Sequence, residues 1–277
     1  MEYLRWRKGD DLEYGMRIPL SRIPNKETVW LSMAEQYRFS SLSNQFSLLD
    51  RNLLLIYLQK ENVVNFFLQI NRKSLYHRLS PEIEDNIKNI SLHRSSIDEF
   101  RLCQKYRNLF YDGISSTENF CSFLEEICSD IHQKKMTFRN TEVIARPNQN
   151  GEFIVYPGKE FIIEGINNCI RIIQARKKLG FLLASMSLMG IFLNIHPFRD
   201  GNGRTSRILF NIFLMNYVNR NIFIPISEIS SVSNKGFILS IKEGQIFNNW
   251  SPIMKLINNY INEFLNINKK TNYNFFE

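Results

Sequence analysis

Two long apolar runs separated by twelve mostly polar residues constrain this chain more than any other feature. The first, Phe181 to Ile195, is broken only by Ser185, Ser187, Gly190 and Asn194. The second, Ile208 to Val218, has Asn211 and Asn216 as its polar members. Runs of this length, apolar on nearly every side and without β-branched dominance, predict two buried helices. Pro197 fits poorly inside a helix and pushes the residue before it toward extended geometry, so the first helix ends near His196. Gly201 and Gly203 allow a tight turn, and Asp200 and Asn202 suit positions that open a helix. The sequence therefore predicts a polar loop, His196-Pro-Phe-Arg-Asp-Gly-Asn-Gly-Arg-Thr-Ser-Arg207, held between buried helices.

Each residue type in that loop has a chemical use. Backbone N–H groups of Gly201, Asn202 and Gly203 converge at a helix N-terminus, where partial positive charge and free donors suit an anion. Arg204 and Arg207, three apart, share a helix face and reach a phosphate with bidentate forks. Asp200 is a hard oxygen ligand for a Mg²⁺ that keeps water and phosphate ligands. His196, with an ordinary pKa near neutrality, suits general-base work. Taken singly, His-Pro and Gly-Asn-Gly are common turns, and two arginines three apart are normally a solvated face. Here they share one window between two buried helices, which favours a polyphosphate cradle beside a base.

The same residues carry a family resemblance. His196, Phe198, Asp200, Gly201, Asn202, Gly203, Arg204 and Arg207 fill every fixed position of H-x-F-x-(D/E)-G-N-G-R-x-x-R, so the chain resembles the Fic domain family. Most members of that family transfer AMP from ATP to protein hydroxyls. The resemblance implies that His196 deprotonates the target hydroxyl and Asp200 holds Mg²⁺. It implies an anion hole from Gly201–Gly203 with Asn202, a grip on the β- and γ-phosphates by Arg204 and Arg207, and anchoring of the loop by Phe198.

The remainder of the chain sets bounds. At 277 residues, 44% hydrophobic and 22% charged, it is long enough for a large core and far from the disordered class. The N-terminus is too charged for a signal peptide, and the longest apolar run falls short of the roughly 20 residues of a membrane span. No membrane partner is therefore expected, and the expected setting is the cytoplasm, or a host cytoplasm reached as a secreted effector. Cys103, Cys121, Cys128 and Cys169 show no metal or pairing pattern and are expected to be reduced apolar fillers. The net charge of +8 is uneven: residues 1–164 carry 22 basic and 22 acidic side chains, and residues 165–277 carry 13 and 5. Such an excess suits a polyphosphate or an acidic partner; without a nucleic-acid motif, nucleic acid is disfavoured.

Helical patterns are predicted over 53–70, from Ser80-Pro81 onward, over about 97–111 and 117–134, and from Ser251-Pro252. Residues 141–145 and 153–156 are β-rich around a turn-forming Arg-Pro-Asn-Gln-Asn-Gly-Glu. Fic domains carry a hairpin flap at this place, so the resemblance implies a flap containing Thr141, Glu142, Val143 and Ile144. A free strand edge there aligns an extended target by backbone pairing. Family members also use aromatic residues to hold adenine; Phe237 and Trp250 are the candidates here.

The expected architecture is mainly α-helical, a Fic-type bundle with a small β-hairpin flap. It comprises a helical N-terminal region (1–112), a catalytic domain (113–265) and a tail (266–277). The expected reaction is AMP transfer from Mg²⁺-ATP to a Ser, Thr or Tyr hydroxyl of a target protein, with self-modification; a homodimer is a further partner considered. The alternatives are transfer of another nucleotide or phosphate-containing group, or a nucleotide-binding regulatory module. Intact Gly203 disfavours the phosphate-transferring variants. Many Fic proteins also carry an inhibitory (S/T)-x-x-x-E-(G/N) helix whose Glu pairs with the second signature arginine. The stand-ins here are Gln69 on the 53–70 helix and, less favoured, Glu84; a neutral Gln69 implies a weak or absent clamp.

Overall fold

The structure is a computed structural model, and it describes residues 3–8, 11–17, 92–145, 153–175, 180–219, 223–233 and 236–273. In chain order the elements are strands β1 (Tyr3–Lys8) and β2 (Asp11–Arg17), then helices α1 (Leu92–Arg107), α2 (Phe110–Gly113) and α3 (Thr117–His132). Strand β3 (Phe153–Val155) and a short 3₁₀ turn lead into α4 (Ile162–Gln174), α5 (Phe181–Ile195) and α6 (Asn202–Val218). The chain closes with α7 (Ile226–Val232), α8 (Gly236–Phe247) and α9 (Ser251–Tyr273).

The two apolar runs form α5 and α6, which pack on each other at the centre, with α4 against α5 and α1 against α6. Their polar interruptions are spent on packing. Ser187 Oγ donates to Leu183 O within α5, and Asn194 Oδ1 accepts from Gln245 Nε2 at 3.0 Å. Asn211 donates to Ile224 O and accepts from Ile224 N, fixing the segment after α6. Asn216 Nδ2 donates to Arg107 O and ties α6 to α1. Buried amides satisfied in this way specify one register where leucine would allow several. Gly165 lets α4 approach α5, because a Cβ there would overlap Ile195.

The core draws Phe100, Cys103, Tyr106 and Phe110 from before residue 113 into one cluster with Phe192, Phe198, Ile208 and Phe213. The expected division at 112/113 is therefore not a break in packing. The expected boundary at 266 falls inside α9, which runs on to Tyr273. The described start of the N-terminal region also departs from the helical expectation. β1 and β2 pair antiparallel with Tyr3 opposite Met16 and Lys8 opposite Asp11, and β2 continues parallel onto β3. The predicted 53–70 and 80 onward helices, with Gln69 and Glu84, lie outside the described residues. Among the described residues no helix is long and apolar enough to cross a membrane. All four cysteines are free thiols; burial pushes Cys121 up to about 11 and raises the other three.

Candidate active site

Helix α5 ends where Pro197 requires it to. His196 is its C-cap in the left-handed region, φ 47°, with its N–H donating to Phe192 O at 3.1 Å. A non-glycine residue there is uncommon and marks a place where the surroundings dictate the backbone. Arg139 is part of those surroundings. Its buried guanidinium donates from Nε to His196 O (2.7 Å), from Nη2 to Ile195 O (3.1 Å) and to Pro157 O, and from Nη1 to Thr141 O (2.8 Å). The cation thus meets the carbonyl end of α5, where the helix dipole favours positive charge. It also fastens the C-terminal end of that helix to both arms of the flap. Tyr156, from the far arm, stacks on the His196 ring at 3.8 Å and 16°.

The imidazole is therefore held on one face by the Tyr156 ring and at Nδ1 by a backbone carbonyl. Nδ1 lies 3.4 Å from Leu193 O, a contact that suits the tautomer with the proton on Nδ1 and leaves the Nε2 lone pair as the base. Burial, followed by the Arg139 charge, lowers the His196 pKa from 6.5 to about 4, partly offset by the Leu193 carbonyl and Asp200. The ring is thus unprotonated, and competent as a base, throughout the neutral range. As pH falls, the unfolded chain takes up this proton near 6.5 while the folded chain resists until near 4. Stability from this group is therefore lost across that window. The acid limb of kcat/KM is expected below pH 6.5, toward 4; a limb at or above 6.5 in a pH–rate profile contradicts this.

After His196 the loop is locked from within. Phe198 is fully buried, edge-on to Phe138 at 5.1 Å, as an anchor should be. Asn202, 2% exposed, closes the loop reciprocally: Phe198 N donates to its Oδ1 (2.9 Å) and its Nδ2 donates to Phe198 O (2.7 Å). Its side chain is therefore committed to loop shape, and any anion contact from Asn202 is through its backbone. Gly201, rather than Asp200 or Asn202, caps α6, with φ 89°. The Gly201 N–H donates to Asp200 Oδ1 at 2.7 Å, so the expected convergence of three amides is reduced to those of Asn202 and Gly203. At Gly203 a Cβ would meet only Arg207 Nη1 at 3.5 Å, ordinary contact, so the protein itself does not demand glycine there.

The Asp200 side chain is 77% exposed, with one oxygen on Gly201 N–H. An exposed carboxylate beside a helix N-terminus fits Mg²⁺, which takes one or two protein carboxylates together with water and phosphate oxygens. Arg204 and Arg207 start the same helix but have different partners. Arg204 Nη2 donates to His132 Nε2 at 3.3 Å. Arg207 makes a forked ion pair with Glu99: Nε lies 3.0 Å from Oε1 and 3.2 Å from Oε2, and Nη2 also donates to Oε1. The Glu99 and Arg207 side chains are 4% and 19% exposed.

That pair was not among the expectations: a glutamate on α1 holds the second signature arginine, while Gln69 and Glu84 lie outside the described residues. Sequence reasoning missed it although Ser95-Ser-Ile-Asp-Glu99 has the Ser-x-x-x-Glu spacing. Phe100 stands where Gly or Asn belongs, buried and edge-on to Phe223 at 5.6 Å. His132 was missed as well, because nothing local sets it apart.

The flap is present as a short pairing. Ile144 bridges Val155 antiparallel, Ala145 N donates to Ile154 O, and Tyr156 N donates to Val143 O. Thr141 meets Arg139 through its carbonyl and Arg199 through Oγ1 at 3.4 Å; Glu142 lies between it and Val143. Since β2 covers one edge of β3, the edge left to a target among the described residues is that of 141–145, where Ile144 is 41% exposed. Trp250 is fully buried against Gly244 and Phe237 is nearly so, which removes Trp250 as an adenine platform.

Residues 116–214 match the family model described as Fic/DOC family. Among solved structures, the fold is similar to a Fic family protein from Desulfovibrio desulfuricans. The TM-score is 0.61 at 13% identity, covering 89% of this chain and 77% of that one. It is also similar to Fic-1 from C. elegans, with TM-score 0.53 at 14% identity, covering 87% and 73%. The loop geometry, the surrounding helices and the family match converge: residues 116–214 form a Fic domain.

Proposed function

We propose that this protein transfers AMP from Mg²⁺-ATP to a hydroxyl of a protein substrate, itself included, and that Glu99 restrains the reaction. The observation that carries the reading is the presentation of His196. Its Nδ1 is placed against Leu193 O, its ring is stacked on Tyr156, and Nε2 is left for a proton at the start of the loop that carries the exposed Asp200 and leads into Arg204 and Arg207. A pure nucleotide-holding module has no need of a base fixed in this way.

In the proposed step the hydroxyl oxygen attacks the α-phosphorus, the bond from that phosphorus to the bridging oxygen breaks, and pyrophosphate leaves. The hydroxyl proton passes to His196 Nε2. Asp200 would hold Mg²⁺, which supplies charge neutralisation on the phosphates. Arg204 and Arg207 orient the terminal phosphates, and the first turn of α6 meets the anion. The catalytic contribution is positioning and charge stabilisation. The open space at Gly203 is where phosphate approaches the backbone. An extended substrate segment pairs with the 141–145 edge, which reads backbone more than side chains.

The base is the least constrained part of the ligand, because Trp250 packs internally. Incubation with ATP, GTP, UTP and CTP, each labelled at the α-phosphorus, is expected to label the protein most strongly with ATP. Preferential labelling by another nucleotide moves the assignment to that nucleotide. Absence of label with all four, together with tight Mg²⁺-ATP binding, favours the regulatory-module alternative.

A further inference from the structure

The two signature arginines are held by different chemistry, and the difference assigns a role to His132. Glu99 offers Arg207 a carboxylate, which neutralises its charge and competes with phosphate. His132 offers Arg204 a neutral nitrogen at 3.3 Å. Accepting from a guanidinium requires the lone pair on Nε2 and therefore places the proton on Nδ1. Both bonds have a charged donor, but only Glu99 adds a charged acceptor, so its fork binds the guanidinium more strongly and cancels its charge. The His132 contact restrains a side chain; the Glu99 fork withdraws one from use.

The His132 ring is itself well placed to act as a fixed reference. It lies in the last turn of α3, a helix started by the Ser116 side chain accepting from Asn119 N and stopped by Gln133 in the left-handed region. Cys128, one turn earlier, donates from Sγ to Asp200 O at 3.6 Å. A Cβ added at Gly201 would meet His132 Nε2 at 2.7 Å and Cys128 Sγ at 3.0 Å. Residues 128 and 132 thus form a shelf directly beneath Asp200 and Gly201. Only 12% of the His132 side chain is exposed, and its Nε2 also lies 3.8 Å from Asp200 Oδ2, beyond hydrogen-bond reach.

We propose that His132 is a positioning residue for nucleotide binding: it holds the Arg204 guanidinium beside Asp200, ready for the terminal phosphates of the nucleotide. This rests on the reading of the loop as a nucleotide site. An arginine side chain has many rotamers to lose when it is fixed. Fixing it in the free protein moves that cost from binding to folding, which raises affinity without adding a contact to the ligand. His132 touches no reacting atom. Its effect is confined to ligands that reach Arg204, so a nucleotide lacking the terminal phosphates does not sense it.

The test uses the full chain carrying Glu99→Gln, so that Arg207 is equally available throughout. Calorimetric titrations with Mg²⁺-ATP and with AMP are made for this parent and for the added changes His132→Ala, His132→Phe and His132→Gln. The alanine and phenylalanine forms are expected to bind Mg²⁺-ATP about 10-fold more weakly, the loss of one hydrogen-bond restraint, with AMP affinity unchanged. Glutamine, whose side-chain carbonyl can replace the Nε2 acceptor, is expected to recover most of the difference. A phenylalanine form equal to the parent would show that the ring only fills the shelf. Equal weakening toward ATP and AMP would show a structural role; either result overturns the proposal. A parent that binds neither nucleotide overturns the nucleotide reading and the His132 role together, whereas a binding parent matched by all three variants overturns the His132 role alone.

Discussion

Replacing His196 with alanine is expected to lower AMP transfer by about 10²–10⁴-fold while leaving Mg²⁺-ATP affinity close to that of the unchanged protein. The split follows from where the groups are. The groups proposed for the phosphates and the metal, Asp200, Arg204, Arg207 and the start of α6, lie on the far side of Pro197, whereas the base lies at the end of α5. Alanine at φ 47° carries backbone strain that histidine already bears, so His196→Asn is the companion variant, because asparagine enters the left-handed region more readily. Both variants should bind nucleotide and fail to transfer it. Single-turnover labelling beside calorimetry separates the two quantities; near-normal turnover in either variant rules out His196 as the base.

The second large effect has the opposite sign. Glu99→Gln is expected to raise self-modification by about 10–100-fold, because a charge-assisted fork worth about 1.5–3 kcal/mol no longer competes with phosphate for Arg207. Glutamine keeps the shape and one oxygen acceptor, which limits the cost of leaving a mostly buried arginine without its carboxylate. Truncation to alanine would add the larger penalty of an uncompensated charge, about 3–5 kcal/mol, and confuse activation with unfolding. Initial rates of label incorporation at saturating Mg²⁺-ATP, beside a thermal melt, measure both effects. A rate unchanged or lowered by Glu99→Gln would mean that the pair builds the site instead of restraining it.

These two effects differ in how readable they were. The His196 to Arg207 loop was legible because its chemistry is local: histidine, proline, glycine and arginine occur in twelve consecutive residues between two apolar runs. The flap was legible for the same reason, from β-rich stretches around a turn. Glu99 and His132 acquire their meaning only through folding, which brings them to Arg207 across 108 residues and to Arg204 across 72. No local pattern marks His132, and Glu99 carries only the Ser95-x-x-x-Glu99 spacing, with Phe100 in place of the Gly or Asn that would complete it. Arg139 is a further case: its role comes from four backbone carbonyls supplied by three separate segments.

The N-terminal strands were legible and were overlooked. Leu12, Tyr14 and Met16 alternate with Asp11, Glu13, Gly15 and Arg17, a period-two pattern. Gly9-Asp10, the two residues between the paired strands, is a composition favoured in hairpins. Their pairing partner was not legible, since β3 lies more than a hundred residues downstream. The consequence is specific: β2 takes one edge of β3 and Ile144 bridges the other, so the edge left among the described residues is that of 141–145.

The central claim is that this loop moves an AMP group under the restraint of Glu99, and one measurement addresses it directly. The Glu99→Gln protein is incubated with Mg²⁺-ATP labelled separately at the α- and γ-phosphorus, with and without His196→Ala, and the protein is analysed by autoradiography and intact mass. The account predicts α-label on the Glu99→Gln protein, a mass gain of one AMP unit, γ-label recovered in pyrophosphate, and loss of all three signals in the double variant. Gamma-label retained on the protein, or α-label undiminished by His196→Ala, would contradict it.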